Sequence, residues 1–170
     1  MTIAMIWAQD ANGLLGTGTD MVWNVPDDFR HFKNETMGNP VIMGRGSWEA
    51  LGCKPLPGRK NIVMTEQLDY VAPGAEVVHS LEEALAIARW SSGKTWIAGG
   101  ANVYEQAMSI ADELVVTDLE LEADTQGGPA VYAPKILDKY WRVDESRSDT
   151  DWRPKSGDAR WRVTTYVRKK

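Results

Sequence analysis

Asp28 is the first candidate for chemistry, because it is a carboxylate on an apolar face in the first turn of a predicted helix. Pro26 suits the first turn of that helix, whose N–H groups have no helical partner, and the acidic Asp28 complements the helix dipole. Phe29 and Phe32 are spaced to share a helix face with Asp28. A carboxylate on this apolar face either turns outward to water or lies in an apolar cleft, where it would grip a ligand.

Three predicted strands end in segments that could approach a second ligand. They are Gly44-Arg45-Gly46-Ser47, Thr65-Glu66 and Gly99-Gly100-Ala101. In open α/β sheets, ligands bind at the carboxyl ends of strands, and glycine before a helix lets the backbone reach a phosphate. Together the three segments favour a dinucleotide cleft. It is not of the Rossmann type, because no Gly-x-Gly-x-x-Gly follows the first predicted strand.

Composition and missing motifs exclude other classes of function. The formal net charge of -5 argues against nucleic-acid binding, and no apolar run reaches the roughly 18 residues that a membrane span needs. One cysteine and two histidines supply a metal site poorly. No nucleophile elbow and no complete phosphate-binding motif, Gly-x-x-x-x-Gly-Lys-Ser/Thr, is present. Hydride transfer with a redox cofactor fits the remaining inventory.

The elements that must position these residues alternate between strands and helices. The predicted strands are Thr2–Gln9, 40–44, Lys60–Thr65, 76–79, 95–98, Glu113–Leu119, 140–146 and 160–168. The predicted helices begin at Pro26, near Trp48, after an N-cap at Ser80, and at Ala101. Residues 10–24 are predicted to form a long lid-like loop, 124–134 an irregular loop, and 149–158 a hairpin loop.

This order predicts a single α/β domain over residues 1–170. Its sheet would have about eight strands, mostly parallel, with an antiparallel C-terminal edge and about four flanking helices. The N-terminus has no features of a signal peptide, and the single Cys53 permits no internal disulfide. A cytoplasmic location is therefore expected.

Several motifs match, in order, the pattern of one enzyme family. They are Ile6-Trp7-Ala8-Gln9, Leu15-Gly16, Trp23-Asn24-Val25-Pro26-Asp27-Asp28, Val41-Ile42-Met43-Gly44-Arg45, Trp48-Glu49, Pro55-Leu56-Pro57-Gly58-Arg59-Lys60-Asn61, Gly99-Gly100 with Val103-Tyr104, and Asp124-Thr125. On these residues the chain resembles a bacterial dihydrofolate reductase over essentially its full length.

The resemblance implies a pterin site built around Asp28. Asp28 would accept hydrogen bonds from the 2-amino group and N3 of the pterin, Thr117 would support it, and Trp23 would help to hold a nearby water. Met21 would lie at the tip of the lid. The remaining substrate-binding residues implied are Ile6, Trp7, Ala8, Phe29, Phe32, Leu51, Leu56, Arg59 and Ala98, of which Arg59 would pair with the α-carboxylate of the glutamate tail.

The resemblance also implies NADPH as cofactor, with a cis peptide at Gly99-Gly100 beside the nicotinamide. The implied cofactor-binding residues are Ala8, Leu15, Gly16, Gly44, Arg45, Gly46, Ser47, Met64, Thr65, Glu66, His79, Gly99, Gly100, Ala101, Asn102, Val103, Tyr104 and Thr125. Arg45 and Thr65 would lie near the 2′-phosphate. Glu66 brings an acidic group close to that phosphate, so the preference for NADPH over NADH follows less directly than the reaction.

The implied reaction is the NADPH-dependent reduction of 7,8-dihydrofolate to 5,6,7,8-tetrahydrofolate. Hydride would pass to pterin C6, and a water would protonate N5. The expected partners are dihydrofolate and antifolate-type inhibitors, with no nucleic acid, membrane or metal, and the chain is expected to be a monomer. Two alternatives remain open: the related pyrimidine reductase of riboflavin synthesis, and a folate- or nucleotide-binding module without turnover.

Overall fold

A mostly parallel sheet runs through the chain, which the computed structural model describes over residues 1–17, 22–91 and 93–170. In chain order, the strands of the described residues are β1 (Thr2–Gln9), β2 (Leu14–Gly16), β3 (Pro40–Gly44), β4 (Lys60–Met64), β5 (Glu76–Val78), β6 (Lys94–Ile97), β7 (Glu113–Leu119), β8 (Val131–Tyr132), β9 (Trp141–Val143), β10 (Arg153–Ser156) and β11 (Ala159–Arg168). The helices are α1 (Pro26–Thr36), α2 (Arg45–Ala50), α3 (Leu81–Ala88) and α4 (Ala101–Ala107).

The strand order along the main sheet is β10-β11-β7-β1-β6-β3-β4-β5, and β9 also pairs with β11. Strands β7, β1, β6, β3, β4 and β5 are mutually parallel, whereas β11 is antiparallel to β7, β9 and β10. The predicted fold class is thus confirmed. Since parallel strands end at one edge of the sheet, β1, β3 and β6 bring their carboxyl ends together there.

The core lies on both faces of the sheet, because successive residues of a strand point to opposite sides. One face carries, among others, Met5, Ile42, Ile62, Ile97 and Leu114. The other carries Ile6, Val41, Val63, Trp96 and Val115, each adjacent in sequence to a residue of the first set. Apolar runs such as 4–7 and 40–43, buried throughout, are therefore what a doubly covered strand requires.

Three predicted loops were wrong in part, because each contains a short strand. The predicted 10–24 loop contains β2, and the predicted 124–134 loop contains β8, which pairs with β2 in a separate two-stranded sheet. The predicted hairpin loop 149–158 contains β10. Strands of two to four residues have too few side chains to show alternation, and their pairing depends on a distant segment.

Helix and strand boundaries also required correction at two places. The short second helix begins at Arg45, so that Gly46 and Ser47 belong to α2 rather than to a preceding turn. The predicted strand 140–146 is only β9, and Glu145–Arg147 forms a 3₁₀ turn. The predicted cap of α3 is confirmed, since the Ser80 side chain accepts a hydrogen bond from the Glu83 N–H at 3.1 Å.

Within the described residues, no helix is long and apolar enough to cross a membrane.

Candidate active site

A cavity of about 530 Å³ opens at the carboxyl ends of β1, β3 and β6. Most of the residues singled out by the sequence line it. The predicted residues among its lining are Ile6, Trp7, Ala8, Leu15, Trp23, Asp28, Phe29, Phe32, Ser47, Leu51, Leu56, Ala98, Gly99, Gly100, Ala101, Tyr104 and Thr117. Its size and mainly apolar lining suit a small organic ligand, and one carboxylate lies in its wall.

Asp28 turns into this cavity rather than outward to water. Only 8% of the residue is exposed, and the Thr117 hydroxyl on β7 donates a hydrogen bond to its Oδ1 at 2.7 Å. This bond is direct, with no need for a bridging water. Burial raises the pKa of Asp28, and this effect is opposed by the Thr117 hydrogen bond and by the charges of His31 and Arg153. A carboxylate so held is oriented toward a hydrogen-bond donor on a ligand.

The start of α1, which carries Asp28, is fixed by the hairpin of β10 and β11. The Asp27 N–H donates to Ser156 Oγ at 3.0 Å. The Asn24 N–H donates to Asp158 Oδ2 at 2.7 Å, and the Asp158 N–H donates to the Asn24 carbonyl at 2.9 Å. These bonds join segments more than 100 residues apart, so the position of Asp28 depends on the C-terminal hairpin.

Aromatic residues form the wall around the end of β1. The Tyr104 hydroxyl donates to the Ile6 carbonyl at 2.6 Å, and burial raises the pKa of Tyr104. The rings of Trp7 and Tyr104 lie 5.2 Å apart at an angle of 53°. Trp23 Nε1 is buried with no hydrogen-bond partner in the described part of the chain. A buried N–H of this kind is costly unless a ligand or water accepts from it.

Glycines bring two strand ends close together on the other side of the cavity. The Gly44 N–H donates to the Gly99 carbonyl at 2.8 Å, and the Gly99-Gly100 peptide is cis. Gly99 has φ +109°, and a Cβ there would lie 2.7 Å from Ser47 Oγ. A Cβ at Gly44 would lie 3.2 Å from Val103 Cγ2. A larger residue at Gly99 would therefore be both strained and in collision, and glycine leaves the backbone open to a ligand.

Four other predicted cofactor residues lie at the ends of β4 and β5, outside the lining of the cavity. Met64 ends β4, and Thr65 and Glu66 follow it. The Thr65 carbonyl lies 2.8 Å from His79 Nδ1. Arg45, at the start of α2, contacts Glu49 through Nε at 3.2 Å and lies over the Tyr70 ring at 6.0 Å. These residues lie on the same sheet edge as Gly44, because β4 pairs in parallel with β3.

The remaining predicted residues are spread around the same edge. Gly16 pairs with Val131 between β2 and β8, and Gly46 lies within α2. Asn102 accepts a hydrogen bond from Gln106 at 2.9 Å, and the Thr125 carbonyl accepts one from Gly128. Met21 lies outside the described residues.

Arg59 does not line the cavity with the other predicted substrate residues. Its Nη1 donates to Thr36 Oγ1 at 3.2 Å, and its Nε donates to the Pro57 carbonyl at 3.0 Å. Desolvation lowers the pKa of Arg59. The guanidinium is thus held between the end of α1 and the turn before β4, and the lining residue Leu56 belongs to the same turn, three positions earlier in the chain.

The sequence did not single out four residues that also line the cavity: His31, Met43, Ala50 and Val131. The helical spacing that linked Asp28 to Phe32 would also have identified His31, three residues after Asp28. Met43 precedes Gly44 at the end of β3. Val131 gave no signal, because its strand was predicted as a loop.

Comparison with known proteins agrees with this fold. The family model described as dihydrofolate reductase matches residues 2–168. The dihydrofolate reductase of Mycobacterium tuberculosis is 40% identical over 168 residues, covering 98% of both chains. That of Neisseria meningitidis serogroup B is 42% identical over 99% of both. A solved dihydrofolate reductase from Enterococcus faecalis, complexed with NADP(H) and RAB-propyl, is 32% identical, with a TM-score of 0.88 over 99% of this chain and 97% of that one.

Proposed function

The chain belongs to the dihydrofolate reductase family and reduces dihydrofolate with NADPH, and we propose that Asp28 is the group in its cavity that binds and polarises the pterin ring. The observation that carries this role is the burial of Asp28 beside Phe32, with Oδ1 bonded to Thr117 at 2.7 Å. The matched family does not favour the riboflavin-pathway reductase or the binding module considered above.

The site residues can be assigned by the edges of the substrate that they suit. An ionised Asp28 accepts hydrogen bonds from the 2-amino group and N3 of the pterin. Phe29, Phe32, Leu51 and Leu56 supply apolar surface for the rings. Arg59, just beyond this wall, would pair with the carboxylate of the glutamate tail, for which its planar guanidinium is suited.

In the reduction, the protein orients the pterin ring and positions the water that protonates it. An Asp28 bonded to the N3 edge of the pterin cannot also reach N5 at the far side of the fused rings. We therefore assign the delivery of the N5 proton to a water and not to the carboxylate itself. Trp23 Nε1 is buried without a hydrogen-bond partner within the described residues and lines the same cavity as Asp28, so it would help to hold a different water, near the carboxylate.

The glycine-lined side of the cavity fits a nicotinamide cofactor. The space next to Gly99 is one that a Cβ would fill, and Gly100, Ala101 and Ser47 line the same region. When bound, NADPH supplies the hydride that reduces C6 of the pterin. Gly44, Gly99 and Gly100 would hold the ring close to the backbone, and Arg45 would contact the phosphates.

We further propose that the protein acts as a monomer in the cytoplasm and that antifolate-type inhibitors bind in the same cavity. The net charge of -5 makes copies of the chain repel one another, which favours a monomer. The single cysteine, Cys53, is free and exposed, which suits the reducing cytoplasm. The Asp28 carboxylate would pair with a protonated inhibitor ring. Light scattering after size exclusion should give the mass of one chain, 18.9 kDa. A mass of two chains would contradict the proposal.

The role of Asp28 is tested by following loss of reduced-nicotinamide absorbance on addition of dihydrofolate. We expect Asp28→Asn to lower kcat/KM at pH 7 by about a hundredfold or more, with NADPH as cofactor. Asp27→Asn is a matched control, since Asp27 is the neighbouring acid but pairs with Arg30 at 2.7 Å on the surface. NADH measured side by side gives the cofactor preference. Equal activity of the folded Asp28→Asn variant and the wild type would overturn the assignment.

A further inference from the structure

A second titratable side chain, His31, lies in the wall of the cavity and has no part in the proposed function. It follows Asp28 by three residues on α1, so both project from the same face of the helix. His31 Nε2 is buried and has no hydrogen-bond partner within the described residues. A ring nitrogen in this position carries either a lone pair or an N–H that makes no hydrogen bond. The surrounding charges therefore set the protonation state of the ring.

His31 belongs to a cluster that connects α1 to the β10–β11 hairpin. We call it the His31 cluster and define it as Asp28, His31, Trp161, Arg153 and Asp149. The His31 and Trp161 rings lie 6.0 Å apart at 51°. The Arg153 guanidinium carbon lies 4.3 Å from the centroid of the Trp161 ring. Arg153 and Trp161 are also direct partners across β10 and β11. Arg153 donates through Nε to Asp149 Oδ2 at 2.7 Å.

The charges that face His31 come from three elements. Asp28 and Glu35 lie on α1, Arg153 lies on β10, and Asp149 lies in the segment before β10. Burial lowers the pKa of His31, Arg153 lowers it further, and the three carboxylates oppose this shift. Burial also raises the pKa of Asp28, and His31 and Arg153 oppose that shift.

Burial therefore brings the pKa values of Asp28 and His31 closer together. Burial disfavours charge on either one alone, while charge on one favours charge on the other. The cation of Arg153 also acts on both groups, but it is paired with Asp149 at 2.7 Å and packs on the Trp161 ring.

We propose that His31 is a positioning residue for the reduction, which acts through Asp28 by taking up a proton from solvent as the pH falls and so keeping the carboxylate ionised. The proton goes to a ring nitrogen of His31, and no other bond changes. The inference rests on the proposed role of Asp28, but its electrostatic part can be measured without turnover.

The direct test follows the titration of His31 by NMR in the protein without substrate or cofactor. The chain has two histidines, and a His79→Gln variant assigns the ring signals. Asp28→Asn removes the facing carboxylate, and we expect the pKa of His31 to fall by about one unit. Asp27→Asn removes a neighbouring acid that pairs with Arg30 on the surface, and it should leave the titration unchanged. Identical titrations in the wild type and Asp28→Asn would overturn the proposal.

The functional test uses the pH profile of kcat/KM and identifies the transition that Asp28→Asn abolishes. His31→Gln keeps a polar side chain without charge, and His31→Phe keeps a flat ring. In both variants we expect the apparent pKa of this transition to rise by about one unit. A rise in His31→Phe alone would indicate packing rather than charge and would overturn the proposal, as would no rise in either. If Asp28→Asn keeps full activity, the proposed function fails, whatever His31 does in the NMR titration.

Discussion

At the scale of single residues, the bond between Thr117 and Asp28 has the clearest functional consequence. Thr117 is 2% exposed on β7, and its hydroxyl offers one hydrogen, which it donates to Asp28 Oδ1 at 2.7 Å. We expect Thr117→Val to raise the pKa of Asp28, because the hydrogen bond lowers it. The carboxylate also loses its orientation, so KM for dihydrofolate should rise about tenfold, the equivalent of a hydrogen bond of about 1.4 kcal/mol. Steady-state kinetics over a range of pH measures both effects.

Thr165→Val on the neighbouring strand β11 provides the control for this variant. Thr165 is also buried, at 3% exposed, and its hydroxyl donates to the Arg147 carbonyl at 2.8 Å, away from the cavity. It should lower the free energy of unfolding without moving the pH profile. If both threonine variants change KM equally, the loss reflects general destabilisation, and the role given to Thr117 is wrong.

The residues of the site differ in how far the sequence could predict them. The pattern showed a carboxylate in conflict with its phenylalanine neighbours at Asp28 but left open whether it faces water or a cleft, and the resemblance implied its place in the site. The bond from Thr117 depends on the start of α1 lying against the distant strand β7, which only the resemblance implied. His31 was overlooked because histidine on a helix face is unremarkable until Trp161 and Arg153, from more than 100 residues away, are placed next to it.

At the scale of elements, the turn between β10 and β11 determines where α1 begins. Gly157 has φ +58° as the first residue of this two-residue turn, a position that favours glycine in a hairpin. A Cβ at Gly157 would lie 2.1 Å from the Asn24 carbonyl oxygen and 2.9 Å from Pro26 Cδ. The turn therefore packs directly against the start of α1, with no space for a side chain.

We expect Gly157→Ala to lower the free energy of unfolding by about 2–4 kcal/mol, since it adds a collision to an unfavourable backbone conformation. It should also weaken dihydrofolate binding, because α1 carries Asp28. Gly38→Ala is the matched control: Gly38 has φ +80° but nothing within 4 Å of its Cβ position. Urea unfolding and substrate titration measure the two effects. Equal losses in both variants would show that backbone strain alone matters and that the contact with Asn24 does not.

The elements also show why prediction succeeded for some strands and not for others. β1 and β7 have eight and seven residues, and their bounds are those predicted, because nearly continuous apolar runs carry their own signal. β2 has three residues and β8 has two, and neither has a pattern apart from its partner. The same holds for β10, whose sequence Arg153-Pro154-Lys155 is typical of a loop until the strand is seen paired with β11.

At the scale of the whole molecule, the buried carboxylate relates folding stability to pH. The pKa of Asp28 is raised in the folded protein above the value of 3.8 that it has when unfolded. Between 3.8 and the folded pKa, the folded state therefore binds more protons than the unfolded state, so stability falls as the pH rises through this range. Below pH 3.8, Asp28 is protonated in both states, so its burial costs no stability. At neutral pH, the folded protein loses the full amount, because it must bury an ionised carboxylate.

Asp28→Asn should therefore make the protein more stable at pH 7 while removing most of its activity. Asparagine carries no charge to bury and can still accept from Thr117, so we expect a gain on the order of 1 kcal/mol in the free energy of unfolding. Urea unfolding at pH 7 and pH 4 measures it, and the gain should shrink at the lower pH. Asp27→Asn should show no such gain, because Asp27 is partly exposed and paired with Arg30. A loss of stability in Asp28→Asn at pH 7 would mean that the contacts of the carboxylate stabilise the fold by more than its burial costs. The site would then not lower the stability of the protein, contrary to this prediction.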